Sequence, residues 1–263
     1  MTRFSTVFTL VCGIWAAGSA SAESGVVMQF DPANASRFED MFPRSGKGLT
    51  NKKTTVSGNN IDIVSDPQLS RRVIALSAKR RKGNTVSKSS VVHEGFSAKE
   101  GSTLVVSMDV KLNTLSPGGI FMMDIECSDC WPKPSIHPNK SPGIRLYIDK
   151  STGSLAIDRG KIGLRSKPLR TKGRAPRFPT DKWVTLVWRS QISSGKNALT
   201  QIYVDDVLHL EARGATLMDD RVFKKYGINL RKLEYNYVEM GVTANESARD
   251  LEMRISKVEI RLE

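Results

Sequence analysis

Short runs in which apolar and polar residues alternate, cut by turn residues, recur along most of the chain and leave little room for helix. Residues 102–112 (STLVVSMDVKL) put Leu104, Val106, Met108 and Val110 on one parity, the period of a strand with one buried face. Residues 119–127 (GIFMMDIEC) predict the next strand, after the turn signal Ser116-Pro117-Gly118. Residues 143–149 (GIRLYID) and 154–159 (SLAIDR) pair across a turn holding Thr152-Gly153. Residues 183–190 (WVTLVWRS) and 200–204 (TQIYV) predict a further hairpin, Asp205-Asp206 the turn after it, and residues 207–212 its return. Residues 237–243 and 251–262 close the chain as strands, the last alternating apolar and charged side chains. Only residues 34–41 and 219–226 could hold a turn or two of helix. The pattern predicts an all-β fold, an antiparallel two-sheet sandwich formed by residues 23–263 as one domain.

The start of the chain bears on where it works. Arg3 is followed by a short apolar run and then by Ala20-Ser21-Ala22, the order of a secretory signal peptide, with cleavage after Ala22. The expected location is secreted or periplasmic. No later stretch is apolar enough to cross a membrane. The chain carries a formal charge of +13, and loss of Arg3 with the leader still leaves it strongly basic. Such a surface attracts polyanions. Outside a cell these are acidic polysaccharides or envelope polymers rather than nucleic acid, so an acidic polysaccharide is the expected partner and a monomer the expected state.

Two cysteines follow the leader, Cys127 and Cys130, spaced C-x-x-C. In an oxidising compartment a short-loop disulfide is the default. A redox site would have to open a helix in a βαβ setting, and the Pro-rich stretch after Trp131 does not start one. A zinc site would need two more ligands, and only His137 is near.

The segments FPTDKWVTLVWRS (178–190) and TQIYVDDVLHLEA (200–212) resemble the hairpin of concanavalin-like jelly rolls, in which a tryptophan-anchored strand precedes one ending in an Asp-containing turn. Residues 235–262 resemble their closing strands. The resemblance implies a concanavalin/laminin-G-like jelly roll. Within that superfamily the look is nearest to polysaccharide lyases of the alginate and heparin type, which act by β-elimination at a uronic acid. Their Gln-x-His strand compares here with Met123-Asp124-Ile125-Glu126. Their late strand, Tyr-x-Lys with a Tyr two residues past a central Gly, compares with Tyr237-Val238-Glu239 and Gly241-Val242-Thr243. The catalytic set of that family is therefore not retained, and a lyase on this chain would use another.

Three functions fit: a lyase, a non-catalytic carbohydrate-binding or envelope-associated module, and a glycoside hydrolase. Asp124 and Glu126, at i and i+2 of one strand, share a face with Met122 as neighbour, and two such carboxylates are the raw material of glycoside hydrolysis. Their plainer role is pairing with basic side chains. Arg145 and Tyr147 share a face, as do Gln201 and Tyr203, and Arg159 and Lys161 lie just past a strand. On a concave sheet these would grip uronates, with Tyr237 beside them. His93 and Tyr147 are the preferred bases for proton removal. His209 is expected to be structural. No G-x-S-x-G, phosphate loop or dinucleotide fingerprint occurs. No metal or organic cofactor is implied; Asp205-Asp206 or Asp219-Asp220 could at most help hold a structural calcium.

Overall fold

The computed structural model describes residues 25–35, 38–41, 48–81, 83–114, 119–128, 130, 142–224, 227 and 229–263. The expected leader at 1–22 and His137 lie outside them. Among the described residues fourteen strands run in chain order: β1 Gly25–Phe30, β2 Asn51–Thr54, β3 Asn60–Asp66, β4 Arg71–Ala78, β5 Ser87–Lys99, β6 Thr103–Leu112, β7 Ile120–Glu126, β8 Gly143–Ile148, β9 Leu155–Asp158, β10 Val184–Gln191, β11 Leu199–Val204, β12 Val207–Arg213, β13 Glu234–Asn245 and β14 Leu251–Leu262. The described helix is short: 3-10 turns at Pro32–Asn34, Phe38–Met41 and Gly160–Ile162, and one α-helix, Asp220–Lys224.

All strand pairs are antiparallel. One sheet runs β12-β11-β10-β6-β14-β4-β3, with β1 also paired to β14. The other runs β2-β5-β13-β7-β8-β9. Consecutive strands β13 and β14 thus sit inside opposite sheets. The expected strands from β6 onward form as read, and the two-sheet jelly-roll sandwich stands. The Asp205-Asp206 turn closes the β11–β12 hairpin with both residues at positive φ, 50° and 63°, as a two-residue hairpin turn requires.

The inward side chains of both sheets build one apolar core, including Leu76, Met108, Trp188, Ile202, Val238 and Met253. Each such burial contributes about 1.5–3 kcal/mol. Trp188 is fully buried, and its indole N–H donates to Thr200 Oγ1 at 3.1 Å, which satisfies its one polar atom. Trp183 donates to Asp66, which also takes Arg254 at 2.8 Å. On β13, Gly241 stands at φ +117°. A Cβ there would meet Leu76 Cδ1 at 2.7 Å and the Ser89 carbonyl oxygen at 2.9 Å, so close packing across the sandwich requires glycine.

Candidate functional site on the six-stranded sheet

Alternation sends half of each strand of the six-stranded sheet outward, and those residues carry most of its charge. On β8, Ile144, Leu146 and Ile148 join the core while Arg145 and Tyr147 point out, half-exposed. On β9, Asp158 lies opposite Arg145 and Ala156 opposite Tyr147. Arg145 Nε donates to Asp158 at 2.9 Å, and its guanidinium lies 4.2 Å from the Phe121 ring centre. Phe121 also stacks on Tyr147, centroids 5.3 Å apart.

Asp124 and Glu126 do share this face. Their expected neighbour Met122 does not. The pairing of β7 with β8 shifts between Phe121 and Met123; both Met122 and Met123 go into the core, and Phe121 takes the outward place. One extra residue at a bulge reverses the parity beyond it.

Lys161, from the 3-10 turn after β9, reaches back over the two carboxylates. Its Nζ lies 3.2 Å from Asp124 Oδ2 and is also hydrogen-bonded to Glu126 Oε1. Thr243 Oγ1 donates to the other oxygen of Asp124 at 2.8 Å. Burial opposes the charge of Asp124, but Lys161, Lys88 and Arg145 outweigh it and hold the carboxyl below its ordinary range. Glu126 fares differently. Burial, then the adjacent charges of Asp124 and Glu239, outweigh Lys161 and push it up to about 7. Both carboxyls are buried, so their acidities are driven apart by unequal company: three cations and the Thr243 hydroxyl act on Asp124, whereas two carboxylates oppose Lys161 at Glu126.

Next along the face lies Glu239, 1% exposed at its side chain. It takes Lys88 Nζ at 2.8 Å, the Ser90 hydroxyl, and the Tyr237 hydroxyl at 3.2 Å. Lys53 of β2 donates to the Tyr237 oxygen and lies 4.6 Å from its ring centre. Burial first, then Glu239 and Glu126, raise Tyr237 well above an ordinary phenol. Tyr147 is raised by burial, and its oxygen accepts from Arg170 at 3.1 Å. Arg170 also bonds Asp149 at 2.9 Å.

The structure therefore gathers Asp124, Glu126, Arg145, Tyr147, Lys161 and Tyr237 on one face. It does not bring the others there. His93 is buried on the core side of β5, its ring stacked on Phe96 and Nδ1 2.7 Å from the Gly48 carbonyl oxygen. Burial lowers its pKa. Gln201 and Tyr203 belong to β11, in the eight-stranded sheet, where Gln201 bonds Glu211 at 2.8 Å. Arg159 is buried and spends its guanidinium on the carbonyls of Lys167 and Ala215, a positioning role in the loop. Tyr235, two residues before Tyr237, turns into the core and donates to the Thr216 carbonyl at 2.7 Å. The β13–β5 register shifts between the two tyrosines. Sequence reasoning missed Phe121, Lys53, Ser90 and Arg170. The signal for Lys53 is thin, because NKKT lacks an apolar alternation to announce β2. Cys127 and Cys130 are disulfide-bonded at the end of β7, and no cluster able to hold a metal occurs among the described residues.

Chemically, the face is a self-compensated ladder. Asp124, Glu126, Asp149, Asp158 and Glu239 are matched by Lys53, Lys88, Arg145, Lys161 and Arg170. The carboxylates lie deepest, with the Tyr237 ring buried beside them, and the cations and Tyr147 form the accessible layer above.

No family model matches the chain, and no curated protein matches its sequence. Among solved structures it is similar to the endo-β-1,4-glucuronan lyase of the fungus Trichoderma reesei, with a TM-score of 0.61 and 11% identity over 90% of this chain and 95% of that one. It is similar to the alginate lyase Aly36B at a TM-score of 0.51 and 9% identity, covering 90% and 96% of the two chains. The cellulose-induced protein Cip1 gives 0.51 and 9%, covering 78% and 86%. At these identities the likeness is one of fold, the two-sheet antiparallel jelly roll.

Proposed function

We propose that this chain recognises an acidic polysaccharide on the outer face of its six-stranded sheet and cleaves it by β-elimination at a uronic acid, working outside the cytoplasm after loss of residues 1–22. The observation that carries the reading is the pairing of a phenol with a cation at Tyr147 and Arg170, 3.1 Å apart at the edge of that face. Elimination needs a uronate carboxylate neutralised, so that the proton at C5 becomes acidic, and a base within reach of that proton. Arg170 is half-exposed and Arg145 stands one strand in; either can grip a carboxylate in fork geometry. To act as the base, Tyr147 must lose its own proton before it takes the one at C5; Arg170 at its oxygen favours that phenolate, against burial, which on balance raises the Tyr147 pKa. The fold shared with a glucuronan lyase and an alginate lyase supports the substrate class.

A second reading has one observation in its favour. Asp124 and Glu126 share one ammonium group while their acidities are driven apart, which is how an acid and a nucleophile are set up for glycoside hydrolysis. One assay separates the two. Incubation with polyglucuronate, alginate, pectin and heparin gives, for a lyase, new chain ends with the ultraviolet absorbance of an unsaturated uronate. A hydrolase gives reducing ends without that absorbance. Binding with neither product refutes both chemistries and leaves recognition alone.

A further inference from the structure

Because the cations of the sheet face are all matched, the surplus positive charge of the chain must lie elsewhere. Much of it lies in one segment. Between Arg159 and Thr180 the sequence holds eight Lys or Arg residues and no Asp or Glu. Arg159, Lys161 and Arg170 are engaged as described above. Arg165, Lys167, Lys172, Arg174 and Arg177 are exposed and form no ion pair among the described residues.

This segment is a strap built onto both sheets. Leu169 exchanges two backbone hydrogen bonds with Ile157 of β9, 2.9 and 3.0 Å, and Phe178 N–H donates to the Gly153 carbonyl at 2.8 Å. Ser154 Oγ donates to the Ala175 carbonyl at 3.1 Å. On the other side, Thr171 Oγ1 donates to the His209 carbonyl and accepts from Glu211 N–H on β12. Leu169 and Phe178 are buried in the core. The strap thus covers the β9 edge, which would otherwise present unpaired backbone groups, and it holds its side chains on a tethered frame. Gly153, at φ +70°, leaves room for Arg177; a Cβ there would meet its Nε at 2.8 Å.

Between strap and sheet edge lies a cavity of about 390 Å³ whose lining includes Arg170, Arg174, Arg177, Thr152, Ser154 and Ala156. Asp149 also lines it, already bonded to Arg170, Ser151 and Thr152. Ala156 is the register neighbour of Tyr147, so the cavity continues the sheet face past β9, with Arg170 at the junction. Two unmatched guanidinium groups, with hydroxyls beside them, suit an anionic group that brings its own charge.

We propose that this strap cavity is a separate anion subsite, which takes the carboxylate or sulfate of a sugar unit beyond those lying on the sheet face. The substrate class then narrows to polymers charged on successive units. The inference deepens the function proposed above and rests on it for the sugar, but not for the anion.

The test uses the full chain and the double substitution Arg174→Ala with Arg177→Ala, both at exposed positions. First, inorganic sulfate is titrated while backbone amide shifts are followed. Saturable shifts at residues 171–177 in the parent and their loss in the variant support the subsite; no saturable shift in the parent overturns it. Second, affinity is measured for polyglucuronate oligomers of increasing length. The parent should gain with length, and the variant should lose on the order of tenfold for the longest oligomers and little for the shortest, two exposed cation contacts being worth about that much. Equal affinity of parent and variant at every length overturns the subsite. Sulfate bound at the strap with no uronate oligomer bound anywhere overturns the proposed function and leaves the anion site standing.

Discussion

Replacing Glu126 by Gln should make the protein more stable above neutral pH and leave it nearly unchanged in acid. Glu126 ionises at 4.5 in an unfolded chain and at about 7 in the fold. Burial is the first cause, and Asp124 and Glu239 add to it. A raised carboxyl means that the folded state holds a proton the unfolded state has already released, throughout the window between those two values. Stability therefore falls as pH rises through it. At about 1.4 kcal/mol per tenfold change in proton affinity, the window from 4.5 to about 7 corresponds to about 3 kcal/mol lost by the time Glu126 is fully charged. Gln keeps the volume and an acceptor oxygen for Lys161 but never takes the charge. Urea unfolding of parent and Glu126→Gln at pH 4.5 and pH 8 reads the difference. The variant should be more stable by about 2–3 kcal/mol at pH 8 and within about 0.5 kcal/mol of the parent at pH 4.5. Equal stabilities at pH 8, or a variant less stable there, would refute the claim that Glu126 is held against its own ionisation. Groups kept at such a cost cluster where chemistry is done.

Other substitutions test other parts of the account. Gly241→Ala should lower stability by about 2–4 kcal/mol in the same unfolding assay, because it combines a positive φ with contacts to Leu76 and the Ser89 carbonyl. Arg145→Ala should weaken polyglucuronate binding several-fold at low salt, an effect that fades as salt screens the remaining charges; unchanged affinity would remove Arg145 from the site. Thr243→Val takes away the hydroxyl donated to Asp124 and should cost about 1–2 kcal/mol, most of it above the pH at which Asp124 ionises, as pH-dependent unfolding would register.

The strands from β6 to β14 were legible because each alternates apolar with polar residues between turn signals, and the tryptophan-anchored hairpin stands where the resemblance put it. The earlier strands were less so. β2 is NKKT, held by its pairing with β5 rather than by any apolar face of its own. Within the site, Arg145 and Tyr147 were readable from parity, and Asp124 and Glu126 likewise. Parity states which side of its own sheet a residue faces and not which sheet the strand joins, so Gln201 and Tyr203 turn up on the far side of the molecule. It also fails at a register shift, which is why Phe121 and Met122 exchange faces. His93 carried a usable warning: it shares parity with Val91, a core residue. The pairing of Glu239 with Lys53 and Lys88 depends on three strands meeting from distant parts of the chain, which local pattern does not encode.

The central claim, that an acidic sugar chain lies on the outer face of the six-stranded sheet, is tested most directly by mapping amide shifts on addition of saturating polyglucuronate. The account predicts a continuous track of shifted residues through Lys53, Tyr237, Asp124, Glu126, Arg145 and Tyr147 to Arg170. Shifts confined to β10–β12 of the other sheet, or no shifts at all, would contradict it.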